Sequence, residues 1–255
     1  MVACAIMPNK LTADPSLDRY IAAAAHSFPI STKNVIDALD LIRANVKPTQ
    51  NAQALQLLAL RRYLRLGAAA IRAQWAWTDE EAMRFGQQGK FKLLLDEASK
   101  AQTIFATANP GYTLGTSPLR NLKRQVGLWN NNNVVQGVAD SLQSHMLAFM
   151  QKSRFSDVPT RPSLAAFTFK LKGAPVHPEP TSAAPGVSDH GQMHAVDFVV
   201  RGGGRIVANV DSGTIQTVWK AGGWEAKLIA AASQTKLIGP LQHPYEPWHW
   251  RLARS

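Results

Sequence analysis

Cysteine is almost absent from this chain: Cys4 stands alone among 255 residues. One thiol can close no internal disulfide and build no cysteine-rich zinc site, so any metal must be held by histidine and carboxylate. No run of about 18 apolar residues occurs, which leaves no helix able to span a bilayer. The stretch Met1–Pro8 lacks a basic leader and is too briefly apolar for a standard secretory signal. Negative charge is the scarcer sign, with 17 acidic against 28 basic residues and a net charge of +11. That excess favours an anionic partner such as nucleic acid, a membrane face or a bacterial wall. The basic residues are spread out, with short clusters at Arg61–Arg65 and Arg120–Arg124 and no nucleic-acid motif, so nucleic acid is not the expected partner.

What remains is a globular composition, 45% apolar, and long enough to bury a substantial core. Residues 16–105 read as about four helices, because apolar positions recur at three- and four-residue steps through Val35, Leu39 and Ile42 and through Leu55, Leu58 and Leu64. Ser31-Thr32 and Thr78-Asp79 offer N-caps, and Thr78 with Glu81 has capping-box spacing. Pro48, Gly86 and Gly89 are breaks. Asn109-Pro110-Gly111 marks a turn and the expected boundary between a helical domain, 1–108, and a second domain, 109–255. In the second, 117–129 and 134–152 read as helices and Ala165–Leu171 as a short strand. A hairpin runs through Ala195–Val200, the turn Arg201–Arg205 and Ile206–Val210. Ser212 is expected to cap a helix reaching Trp219, and Trp224–Ala232 to form another before a last strand at Trp248–Leu252. Helices followed by a hairpin-rich segment make the fold class α+β.

Two segments carry chemistry: Ser188–Asp197, with His190 and His194, and Glu246–Arg251, with His249. A hydrolytic zinc site keeps three protein ligands and an open fourth position. Strand alternation sets Ala195, Asp197 and Val199 on one face, opposite Val196, Phe198 and Val200. His194 shares parity with the second set and should point away from Asp197. The expected ligands are therefore His190, Asp197 and His249, with Glu246 uncoordinated and acting as the base. Glu246 and His249 are three apart and can meet at one site only if Pro247 breaks the strand. The same ligand types also build iron facial triads.

The order Ser188-x-His190-x6-Asp197, with Ala195 two before the Asp, resembles the motif of the D-alanyl-D-alanine carboxypeptidase and dipeptidase family. Glu246-Pro247-Trp248-His249 resembles that family's Glu-x-Trp-His signature. The resemblance covers about residues 109–255. It implies Zn2+ on His190, Asp197 and His249, with attack of zinc-bound water on a peptide bond of a peptidoglycan stem peptide and Glu246 as acid/base. It implies a hedgehog/D,D-peptidase-like small antiparallel sheet with flanking helices, here preceded by an all-helical domain. The family's Gly-Tyr-Arg-x4-Gln is interrupted: Gly111-Tyr112 is followed, after an insertion, by Arg120 and Gln125. Arg120 is then expected to stabilise the oxyanion, with Arg124, Arg154 and Arg161 as alternatives. Ser188, Gln125, Tyr112 and Trp248 are expected around the substrate. Met193 stands where the family has Gly. The implied partners are the stem peptide and an anionic cell wall; with no visible signal sequence, a phage lysin, a secreted effector and a cytoplasmic recycling enzyme are all open. Carboxypeptidase and endopeptidase action both stay open. The competing expectation is a non-catalytic metal-containing wall-binding module.

Overall fold

The computed structural model describes residues 13–28, 32–71, 75, 77–117, 120–180 and 182–252, leaving aside the side chains of 32 and 68–70. Cys4 and Ser31 lie outside these. The first half contains α1 (Pro15–His26), α2 (Thr32–Ala44), α3 (Ala52–Ile71), α4 (Asp79–Phe85) and α5 (Gly89–Ala108), then β1 (Tyr112–Thr116). Next come α6 (Leu122–Asn130), α7 (Asn133–Lys152), α8 (Arg161–Gly173), β2 (Ala195–Gly202) and β3 (Arg205–Ala208). A 3-10 turn and a π-helical turn precede α9 (Trp224–Ala232), and β4 (Leu237–Ile238), β5 (Leu241–Gln242), β6 (Tyr245–Glu246) and β7 (His249–Leu252) follow. The protein is α+β. Among the described residues no helix is long and apolar enough to cross a membrane.

The chain forms two compact units that alternate along the sequence: 1–73 with 123–187, and 74–122 with 188–255. The boundary expected at 108/109 falls inside the second unit, between α5 and β1.

The first unit is helical. Its centre is α3, which packs against α1, α2, α7 and α8 and is buried without a break from Gln53 to Arg61. A helix enclosed on every side must satisfy its polar side chains internally. Gln53 donates to the Asp14 carbonyl at 2.7 Å and accepts from Gln143 Nε2 at 2.6 Å. Gln56 Nε2 donates to the Leu39 carbonyl at 2.9 Å. This unit also carries most of the net positive charge.

One strand expectation is overturned here. Residues 165–171 lie within α8, whose start is fixed by Thr160 and Ser163 in a capping box with Pro162 in the first turn. Phe167 and Leu171, four apart, face inward, whereas Phe169 is 83% exposed.

In the second unit, Thr78 and Glu81 form the capping box that starts α4, as their spacing predicts. The sheet runs β1-β2-β7-β4, with β3 paired to the far end of β2, and every pairing is antiparallel. Helix α5 packs against β1, β2 and β4, and α9 packs against α5. Phe91, Leu94 and Phe105 of α5 join Val196, Phe198, Val200, Trp219, Leu228, Trp248 and Trp250 in one apolar core. Asp211, not Ser212, caps the turn that leads to Trp219, its carboxylate accepting from Gly213 N at 2.9 Å.

Candidate metal centre

All the groups of this centre belong to the second unit. The alternation of β2 sends Val196, Phe198 and Val200 into the core, which leaves Asp197 on the opposite face. The register places His249 of β7 directly across from Asp197. On the other side, Ser117 N donates to the Asp197 carbonyl at 2.8 Å, so ladder bonds fix the backbone from both flanks.

His190 is delivered by a tight turn ahead of β2. The Ser188 hydroxyl accepts from Gly191 N at 2.9 Å, the Ser188 carbonyl from Gln192 N at 2.9 Å, and the Asp189 carbonyl from His194 N at 2.8 Å. Met193 closes this turn in the left-handed region, φ 56°, the conformation glycine adopts most easily. Its side chain is buried in the core, which supplies a reason for methionine at a position whose backbone favours glycine.

His190 Nε2, Asp197 Oδ1 and His249 Nδ1 stand at the corners of a triangle with 3.1 Å on every edge. Asp197 is fully buried, and the two imidazoles are about nine-tenths buried. Three electron-pair donors at this separation repel unless something positive lies between them. Protons alone would aim two N–H groups at one oxygen and still leave the ring nitrogens 3.1 Å apart. Ligands about 2.0–2.1 Å from a tetrahedral zinc stand about 3.3 Å from one another, close to the edges seen here. The donor set therefore fits a small divalent cation, and among the described residues this group is the one able to hold a metal ion.

Charge states agree with that fit. Burial lowers the His190 pKa, with Arg120 and His249 adding and Asp197 opposing, so the imidazole stays neutral, as a ligand must. Burial alone would raise Asp197. Its close contacts with the ring nitrogens of His190 and His249 and the Arg120 guanidinium outweigh this and hold the carboxyl well below its ordinary range.

Glu246 Oε2 lies 3.7 Å from His249 Nδ1, near the triangle but outside it. Burial raises its pKa and Asp197 adds to this, against opposing pulls from His249, Arg120 and Trp248. Pro247 and Trp248 do separate two strands: Glu246 pairs with Leu241 in β5–β6, while His249 pairs with Asp197. The strand break that brings a residue pair three apart to one site is thus present.

Arg120 reaches the centre too. Its Nη2 donates to Asp197 Oδ2 at 2.5 Å, so the guanidinium engages the oxygen that the triangle leaves over. His194 is not part of the triangle. Ser188 acts within the His190 turn. Trp248 is 2% exposed and packs on Trp219 at 5.8 Å, beneath the site in the core. Tyr112 is set apart: it pairs with Gly202, five residues and about 17 Å along β2 from Asp197. Its ring packs at a tilt against Trp224, with centroids 4.7 Å apart, and lies 2.6 Å from where a Cβ on residue 202 would be, so glycine is needed there. Gln125 belongs to the first unit, where its side-chain oxygen accepts from Gly186 N at 2.9 Å. His243 is exposed.

One supporting residue had no signal in the sequence. The Tyr245 hydroxyl donates to Glu225 on α9, tying the hairpin that carries Glu246 to a helix twenty residues earlier.

No family model, curated protein or solved structure matches this chain, so the motif and the geometry above carry the functional reading by themselves.

Proposed function

We propose that this protein is a zinc-dependent peptidase that hydrolyses peptide bonds of bacterial peptidoglycan stem peptides, its second unit having the hedgehog/D,D-peptidase type of fold. The observation that carries this reading is the 3.1 Å triangle of His190, Asp197 and His249 with an uncoordinated carboxylate, Glu246, at its edge. Two imidazoles and a carboxylate suit zinc, which when bound polarises a carbonyl and makes water more acidic. The chain's own groups divide the remaining work. Asp197 and the two histidines hold the cation. Glu246, outside the ligand set, takes the proton of the attacking water and returns it to the leaving amine. Arg120 orients Asp197. The charge of the first unit draws the protein to an anionic wall.

The decisive experiment is mass spectrometry of defined muropeptides incubated with the full chain, with and without a chelator. Cleavage that stops with chelator and returns with added zinc is expected. Zinc bound in one equivalent with no cleavage of any muropeptide would replace this reading by that of a non-catalytic metal-containing wall-binding module.

A further inference from the structure

Helix α8 packs against α1, α3 and α7 of the first unit and buries Phe167 and Leu171. A helix buried on one side ordinarily shows charged and polar residues on the other. Here it does not. Pro162, Ala165, Ala166, Phe169 and Gly173, spaced three and four residues apart, fall on one stripe opposite the buried pair, and every one of them is exposed. Phe169 at 83% and Val158 at 67%, the latter two residues ahead of the cap Thr160, are the most exposed large apolar side chains among the described residues. No side chain of the stripe donates or accepts a hydrogen bond.

Cations border it. With 3.6 residues per turn, Arg161 and Lys172 lie along one side of the stripe and Lys170 along the other, and α8 contains no acidic residue. Lys152 and Arg154 precede the helix in sequence. From residue 141 to residue 178 these five cations are opposed by Asp157 alone.

Few occupants fit both features. Two copies of the chain meeting here would bring like-charged borders together. A soluble polyanion would answer the cations but lay its polar groups on a convex apolar face that returns no hydrogen bond. An anionic lipid surface answers both, its headgroup phosphates meeting the lysines and arginines while Phe169 and Val158 enter the boundary of the acyl chains. We propose that α8 is a membrane-docking helix that lies flat on a bilayer containing anionic lipid, with Phe169 as the inserted anchor. This surface stands apart from the peptidase reading, because attachment needs neither metal nor cleavage.

Flotation of the full-length protein with vesicles tests it. Vesicles of equimolar phosphatidylglycerol and phosphatidylcholine should bind at least about 10-fold more tightly than phosphatidylcholine alone. Phe169→Ala should weaken that binding about 10-fold, as partial burial of one phenyl ring contributes, and Phe169→Trp should restore it. Replacing Arg161, Lys170 and Lys172 together by Gln should weaken it about 100-fold, each cation contributing about fivefold. Thermal melting of the Phe169 variants should match the wild type, since the side chain lies outside the core. Ile206→Ala, at an exposed apolar position of the second unit, should bind as the wild type does. Absence of binding to the anionic vesicles overturns the proposal. So does binding that Phe169→Ala leaves unchanged, which would make diffuse charge the whole attraction. An equal loss in Phe169→Ala of binding to soluble poly(glycerol phosphate) would give the face to a polymer, and a dimer in light scattering that Phe169→Ala abolishes would give it to a second copy. Muropeptide cleavage is measured separately, so failure here leaves the peptidase reading in place.

Discussion

Arg120 Nη2 donates to Asp197 Oδ2 at 2.5 Å, while the other oxygen of the same carboxylate faces His190 and His249. The guanidinium thereby selects which carboxylate oxygen is offered to a metal and holds that side chain in one rotamer. Partners of this kind, one bond removed from the ligand, tune metal affinity about 10- to 100-fold. Arg120→Ala is expected to weaken zinc binding by that factor in competition against a chromophoric chelator, and Arg120→Lys to recover part of it. Unchanged affinity in Arg120→Ala would leave the contact with no part in the metal centre.

Glu246→Gln separates metal binding from proton transfer. The carboxylate lies outside the ligand triangle, so one equivalent of zinc should still bind. Loss of a positioned general base typically costs about 10²–10⁴ in rate, and kcat on a cleaved muropeptide should fall by at least the lower figure. Loss of the zinc itself in this variant would instead place Glu246 among the ligands.

How far these groups are legible in the chain depends on range. Asp197 is legible because strand parity is local and needs only its own neighbours to declare a face, whereas His249 is legible only through its pattern with Glu246 and Trp248. The helix over 161–173 resembles a strand because Phe167, Phe169 and Leu171 alternate. Its start signals, Thr160, Pro162 and Ser163, lie outside that alternating window. The contact from Arg120 to Asp197 spans 77 residues and the alternation of the two units spans more, and no local period encodes either.

Met193 offers a contest between backbone and burial. Its left-handed conformation costs a non-glycine residue about 1–2 kcal/mol, whereas truncating a buried methionine costs about 2–5 kcal/mol. Burial outweighs the backbone strain. Met193→Gly is therefore expected to lower stability by about 1–3 kcal/mol in urea unfolding, despite relieving the turn. A stabilised variant would mean that the methionine is retained for neither packing nor backbone.

Acid sensitivity should come in part from Glu97. Its Oε1 accepts from Lys100 Nζ at 2.6 Å and its Oε2 from Lys236 N at 3.0 Å, and these bonds lower its pKa, Lys100 most, against the opposing effect of burial. The folded value lies below the unfolded one, so the stabilisation is complete above the ordinary value of 4.5 and is lost as pH falls through the depressed value. Glu97→Gln should be less stable than the wild type at neutral pH, with the difference shrinking toward pH 3 in chemical denaturation. A difference independent of pH would show that the carboxylate charge is not what matters.

Truncation at the sequence boundary should fail. A fragment of residues 109–255 lacks α5 and with it Phe91, Leu94 and Phe105, all buried. Each contributes about 1.5–3 kcal/mol, and together they rival the whole stability of a typical domain, about 5–15 kcal/mol. Near-ultraviolet circular dichroism of the fragment should show no fixed aromatic environment. A native-like spectrum would show that the sheet stands without α5.

The alternation of the two units also bears on biosynthesis. When α5 leaves the ribosome, only β1 of the elements that pack on it follows at once, because β2, α9 and β4 are encoded beyond the whole of residues 123–187. For that interval the nascent chain shows an uncovered greasy face, the state in which aggregation competes with folding and chaperones are recruited. Arg120 likewise waits for an aspartate not yet translated, so the metal centre forms only once His249 has been made, and a ribosome that stalls before then leaves a chain with no site at all.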